Sequence, residues 1–366
     1  MTSPHADRLA RLRTLMRDTG TDLVAIGPSS HMMWLTGLDP HGDERPVMLL
    51  VGLDHAGFLM PALNAAAARR VTDLPLHCWT DDAGPEAALA ALVTECGATT
   101  PGLSVVLDET MRADFALRLL GALDAPRHRF SADTLGRLRA AKDAAEYAAL
   151  KASAALNDAA VTAAFDALRE GMTELDLQDI IHAFYKAHGA RAEFTIIGFG
   201  ESGAYPHHHT GDTRLAPGMA VLIDSGCRHM GYPSDMTRCG WFGGAPDPEF
   251  LHVAGVVERA VQAALAIARP GVRAAEIDRA ARGVIEEAGY GERFVHRTGH
   301  GLGLDVHEPP YISATSEAVL EAGCVFSIEP GIYLEGRFGV RLEDIVILRE
   351  DGAEILSGLS RALREA

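Results

Sequence analysis

The stretch GMTELDLQDIIHAFYKAHG, residues 171–189, returns one hundred residues later in pattern as GVRAAEIDRAARGVIEEAG, residues 271–289. The two have the same length, and both open and close on glycine. Leu177 falls opposite Ile277 and Phe184 opposite Val284, on the apolar stripe of an amphipathic helix. A terminal glycine suits the left-handed residue that ends many helices. Each copy follows a long helical pattern and precedes strand-like runs, so the match extends to the flanks. This predicts a duplicated half, with a sheet between two helix pairs. A site on the pseudo-symmetry axis then draws residues from strands of both halves.

Upstream of the repeat the character differs. Up to about residue 130, DLVAIG, PVMLLVG, LPLHCW, LSVVLD and HRF read as strands, and PALNAAAARR, GPEAALAALVTEC and MRADFALRLLGAL as helices. Such alternation predicts an α/β layer with a covered sheet. It holds no glycine-rich phosphate loop, which leaves nucleotide binding without support. From Leu138 the alanine-rich run LRAAKDAAEYAALKASAALNDAAVTAAFDAL predicts a long helix. The boundary therefore falls between residues 1–133 and 138–366, and 366 residues suffice for two cores.

The amino-terminal MTSPHADRLARLRTLMRDTG is charged throughout and reads as an ordinary amphipathic helix rather than a signal peptide. Five cysteines without a CxxC pair fit a reducing, cytoplasmic setting better than a disulfide framework or a thiolate metal site. A net charge of −17 argues against nucleic acid and anionic membrane as partners. Some of those carboxylates are candidate metal ligands.

Acids abut β-rich segments at four places: Asp224 in MAVLIDSGC, Asp235 in GYPSDMTRCGWF, Glu329 in CVFSIEPGIY, and Glu343 with Asp344 in GVRLEDIVIL. One acid in such a place is usually a turn or cap residue; a recurring set suggests a charged centre, because burying an unpaired carboxylate is costly. The segment HRTGHGLGLDVHEPP, residues 296–310, adds three histidines. Gly299, Gly301 and Gly303 weaken a helix there, and Pro309-Pro310 stops one. On an extended chain His300 and His307, seven apart, point to opposite faces. One is then a ligand and the other a proton carrier or substrate contact. Four carboxylates and a neutral imidazole balance two divalent cations, and a ligand set of that kind suits Mn²⁺, with Co²⁺ or Zn²⁺ as alternatives.

From Leu138 onward the sequence resembles the creatinase/prolidase/methionine aminopeptidase superfamily, the pita-bread metallopeptidases, and within it the Xaa-Pro dipeptidases and aminopeptidases. Asp224, Asp235, His300, Glu329 and Glu343 carry the resemblance, in order. The first domain is similar to the creatinase/prolidase amino-terminal domain, with HMMWLTGLDP as its best match. The resemblance implies an α+β pita-bread catalytic domain behind a smaller α/β domain. It implies that Asp235 and Glu343 bridge two metals, Asp224 chelates one, and His300 and Glu329 hold the other. Glu329 is then also the acid/base partner of a metal-bridging hydroxide. His207, in PHHHTGD, matches a histidine on the leaving-group side, and His296 and His307 match two further active-site histidines; His208 and His209 read as loop residues. Tyr333 and Arg341 match site-lining positions.

The implied reaction is cleavage of the Xaa-Pro bond of a small peptide by a cytoplasmic homodimer. A dipeptidase needs a cation for the free proline carboxylate, for which Arg337 and the loop with Asp39, His41 and Arg45 are candidates. The alternatives are an Xaa-Pro aminopeptidase acting on longer peptides, a hydrolase or lyase of another small molecule on the same fold, and a non-catalytic metal-binding relative.

Overall fold

The structure, a computed structural model, describes residues 4–365. The chain forms two compact units, Met1–Leu138 and Arg139–Ala366.

The first unit runs α1 (Pro4–Asp18), β1 (Leu23–Ile26), α2 (Ser30–Thr36), β2 (Met48–Gly52), β3 (Ala56–Pro61), α3 (Ala62–Ala68), β4 (Leu76–Trp79), α4 (Glu86–Glu95), β5 (Ser104–Leu107), α5 (Ala113–Gly121) and β6 (Arg127–Phe130). Its six strands form one mixed sheet in the order β4-β3-β2-β1-β5-β6. Every residue of β1, β2 and β3 is buried, as a sheet covered on both faces requires. All five expected strands are present. β3 is an addition, because its AGFLMP runs straight into the alanines of α3 and ends on the Pro61 that had been read as helix.

The second unit begins inside α6 (Leu135–Ala140). It continues through α7 (Ala144–Asp166), α8 (Glu174–Ala187), β7 (Arg191–Phe199), β8 (Met219–His229), β9 (Tyr232–Pro233), β10 (Met236–Phe242), α9 (Pro248–Ile267) and α10 (Ala274–Glu287). Then come β11 (Gly299–Gly301), β12 (Glu308–Ile312), β13 (Val325–Ile328), β14 (Gly331–Leu334), β15 (Phe338–Arg341), β16 (Asp344–Arg349), β17 (Gly352–Ile355) and β18 (Arg364–Glu365). The expected single helix from residue 138 is divided. Asp143 caps α7 through the amides of Ala145 and Glu146, and Glu146 returns a bond to the Asp143 amide. That reciprocal cap starts a new helix after α6.

The duplication is visible in backbone bonds. Gly171 N–H reaches Leu215 C=O at 2.8 Å, and Gly271 N–H reaches Leu320 C=O at 2.8 Å. α7 and α8 accompany the sheet β18-β10-β8-β7, while α9 and α10 accompany β12-β11-β13-β16-β17. Each half thus has its own sheet, where one shared sheet had been expected. α9 is long and apolar enough to cross a membrane by length and composition, yet its Phe250, Val253, Val257 and Val261 are fully buried in the core of this unit.

Candidate active site

The acidic residues come from both halves. Asp224 lies in β8, opposite Thr237 of β10 and Ile196 of β7. Asp235 immediately precedes β10. From the other half, His300 is the middle residue of β11, Glu329 directly follows β13, and Glu343 occupies the step between β15 and β16. The Glu343 amide bonds Thr237 C=O at 3.2 Å, which joins the two sheets at the site. Asp344, next in sequence, turns away to pair with buried Arg238 at 2.7 Å.

Side-chain ligand atoms of Asp224, Asp235 and Glu343 lie within 4.8 Å of one another, as do those of His300, Glu329 and Glu343. Asp235, His300 and His307 form a third such group. His300 Nε2 is 3.3 Å from Glu329 Oε1 and 3.5 Å from Asp235 Oδ2. Its Nδ1 is 3.2 Å from Gly301 C=O, which places the proton there and leaves the Nε2 lone pair facing the carboxylates. Asp224 Oδ1 and Glu343 Oε1 are buried without a hydrogen-bond partner among the described residues. Buried orphan oxygens are unfavourable unless a cation completes them.

The electrostatics of these side chains agree. Burial, then repulsion from Glu343 and Asp224, raises the Asp235 pKa well above the usual carboxylate range. Glu343 is raised well above that range by burial and by Glu329 and Asp224. Burial lifts Glu329 to about 7. His300 is pushed down to about 3 by burial and the neighbouring His307, so its imidazole is neutral, as a metal ligand must be.

The three glycines of residues 296–310 fit by close approach. A Cβ on Gly299 would strike the Ser327 carbonyl, and one on Gly303 would strike the Glu308 carboxylate. β11 and β12 pair antiparallel, so residues 302–307 fold back as the connection. His300 and His307 consequently sit side by side, ring centroids 3.9 Å apart, against the expectation of opposite faces. The opposite-face expectation holds for one extended strand, and the reversal at residues 302–307 removes that condition.

Arg341 organises the back of the site. Its guanidinium donates to Asp224 Oδ2 at 2.6 Å, Thr237 Oγ1 at 3.0 Å and the Tyr333 hydroxyl at 2.8 Å. Thr237 in turn donates to Glu343 Oε2 at 2.7 Å. Arginine only donates, so the Tyr333 proton is directed to His296 Nε2 at 2.8 Å. His296 Nδ1 then donates to the Arg297 carbonyl at 2.7 Å. Burial and Arg341 hold His296 down at about 4, and both its ring nitrogens are occupied. It lines the cavity as a neutral ring edge, while Tyr333 lies behind the wall.

A cavity of about 740 Å³ opens over these groups, walled by Phe194, Ile196, Val306, His207, Arg297 and His307. Arg337 is not on its wall. That guanidinium bonds Glu249 at 2.5 Å and faces Asp247 at 3.7 Å, so its charge is already answered on the surface. In the first unit Asp39 and His41 lie in the loop before β2, and Arg45 is held by Asp81 through two bonds of 3.0 and 3.1 Å. Sequence reading missed Arg297. Its guanidinium stacks 4.5 Å above the Tyr311 ring and has no carboxylate partner among the described residues. Adjacency to His296 was the one available signal.

Oxygen ligands gathered where a cavity of that size opens are the working parts of metal-dependent hydrolases. The chain belongs to metallopeptidase family M24, whose model matches residues 148–350; the creatinase/prolidase N-terminal domain matches residues 8–140. A probable dipeptidase PepE of Mycobacterium tuberculosis is 37% identical over 356 residues, covering 95% of this chain and 93% of that protein. An Xaa-Pro dipeptidase of Lactobacillus delbrueckii subsp. lactis is 32% identical, covering 97% of this chain and 98% of its own. The solved dipeptidase PepE of Mycobacterium ulcerans superposes with a TM-score of 0.93 at 34% identity, over 99% of this chain and 98% of that one.

Proposed function

We propose that this protein is an Xaa-Pro dipeptidase using two divalent metal ions, Mn²⁺ foremost. Asp224, Asp235 and Glu343 would hold one ion and His300, Glu329 and Glu343 the other, with Asp235 also within reach of His300. Bound there, the ions supply Lewis-acid polarisation of a carbonyl and a water acidic enough to attack at neutral pH. The orphan oxygens of Asp224 and Glu343 support this donor set.

The remaining residues divide the work. Arg341 and Thr237 fix the rotamers of Asp224 and Glu343. Proline's ring nitrogen carries no N–H, so the departing amine must receive a proton. Glu329, beside His300 and Ser327, and His207 on the cavity wall are the candidates to carry it. Partial burial and the nearby Arg297 keep His307 below its ordinary pKa, which suits a neutral hydrogen-bonding contact better than an acid. Phe194, Ile196 and Val306 give the cavity an apolar side.

The dipeptide restriction rests on Arg297, a guanidinium on the wall of this cavity with no carboxylate partner among the described residues. It meets the free carboxylate of a dipeptide, and a longer substrate removes that charge and leaves the cation unanswered. The names of the Lactobacillus and Mycobacterium relatives support the same reading. A homodimer, a cytoplasmic location, and substrate contacts from the Asp39, His41 and Arg45 loop of a second copy belong to the proposal as well. The test compares Ala-Pro with Ala-Pro-Ala on the Mn²⁺-loaded enzyme. Wild type should prefer the dipeptide, and Arg297→Ala should lose at least tenfold more activity on Ala-Pro than on Ala-Pro-Ala. A wild type that cleaves the tripeptide equally well is an aminopeptidase instead.

A further inference from the structure

The two halves begin their second helices in the same way, with one difference. The Glu174 amide bonds Thr213 C=O at 3.1 Å, as the Ala274 amide bonds Ala318 C=O at 2.9 Å. In both, the acid three residues on accepts from the cap residue's amide, Asp176 from Thr173 at 2.8 Å and Glu276 from Arg273 at 2.9 Å. Glu174 and Ala274 occupy matching places and both are fully buried. The second half completes this junction with a methyl group, so the helix start does not require a carboxylate.

What Glu174 holds is peculiar to its own half. Oε1 accepts from Phe199 N–H at 2.9 Å, and Oε2 accepts from Gly211 N–H at 2.9 Å and from His208 Nε2 at 2.7 Å. Phe199 ends β7, and Gly211 lies four residues past His207 within the connection to β8, so the two bonds fall on either side of His207. A turn closed by His208 N–H on Tyr205 C=O at 3.0 Å sets His207 at its corner. With the His208 ring drawn inward to Glu174, His207 stands on the cavity wall. We infer that Glu174 and His208 are positioning residues, which hold the His207 imidazole at the site by clamping its loop on either side of the histidine and next to it. The inference rests on the reading of His207 as a group that acts on substrate.

Glu174→Gln keeps the shape but turns one acceptor into a donor facing N–H groups. In the Mn²⁺-loaded enzyme it should lower kcat on Ala-Pro at least tenfold, with metal content and KM near wild type. Adding His207→Ala to Glu174→Gln should cost little beyond either change alone, whereas adding His307→Ala should multiply the losses. His208→Gln, which retains a donor, should keep most of the activity that His208→Leu loses. A crystal structure of Glu174→Gln should show His207 displaced from the wall. Equal, multiplicative losses with His207 and His307, or a His207 that stays in place, overturn the positioning role alone. A His207→Ala enzyme with undiminished kcat removes the reading of His207, and the inference with it.

Discussion

At the scale of single residues, the site is defined by which oxygens are shared. Glu343 belongs to both of the ligand groups that would hold an ion each, and Asp235 contacts members of each. Neither half-site keeps three protein ligands once Glu343 is removed. Glu343→Ala should therefore lose both ions, and Asp235→Ala at least the ion of its own group, measured as metal per chain after dialysis. Retention of two ions with normal turnover by either variant rules out sharing. His300→Ala should lower metal content, because its Nε2 points at Glu329 and Asp235. His307→Ala should leave metal bound and cut turnover by roughly 10–100-fold, the worth of one lost hydrogen-bonding contact to substrate. Equal metal loss in the two histidine variants would make His307 a ligand.

At the scale of elements, the connection between β11 and β12 is anchored beneath the histidines. Glu308 is buried, accepts from Lys142 Nζ at 2.6 Å, and pairs with Arg139. Arg139 also reaches Asp305 at 3.0 Å. Removing the shared carboxylate strips buried Lys142 of its carboxylate partner and leaves Arg139 with Asp305 alone of the two, at a cost of about 3–5 kcal/mol. Glu308→Ala should show that loss in denaturant unfolding, and a change under 1 kcal/mol would mean the cations relax to water. None of this was visible beforehand, since Arg139 and Lys142 lay in a stretch read as plain helix. The cap that divides that stretch, Asp143 with Glu146 three residues on, was present in the sequence but masked by the alanines around it. Strands such as β1 and β5 were legible because each is a short apolar run between turn residues. The acids were legible for a related reason: a carboxylate beside an apolar run stands out. Arg297 was not, because what marks it is the absence of a partner in space, and no spacing encodes that.

At the scale of the whole molecule, the site is a store of electrostatic cost that metal relieves. In the metal-free protein Asp235 and Glu343 are raised well above the usual range and Glu329 to about 7, so the folded state binds protons that the unfolded chain has released. Stability then falls as pH rises through those folded values. The histidines act oppositely. His296 and His300, lowered to about 4 and about 3, make the folded state bind fewer protons, so their contribution grows with pH until the unfolded value of about 6.5 is passed. The two trends offset each other between roughly pH 4.5 and 6.5, and above that window only the carboxylates continue. Metal-free protein should therefore lose unfolding free energy between pH 6.5 and 8, by up to about 1.4 kcal/mol per pH unit for each proton retained. Saturating Mn²⁺ should abolish or reverse the slope, because the cations replace the protons and are favoured by deprotonated ligands. Denaturant titrations at pH 6.5, 7.25 and 8, with and without metal, measure both slopes. If metal-free protein gains stability over that interval, the carboxylates do not carry the burden that their burial together implies.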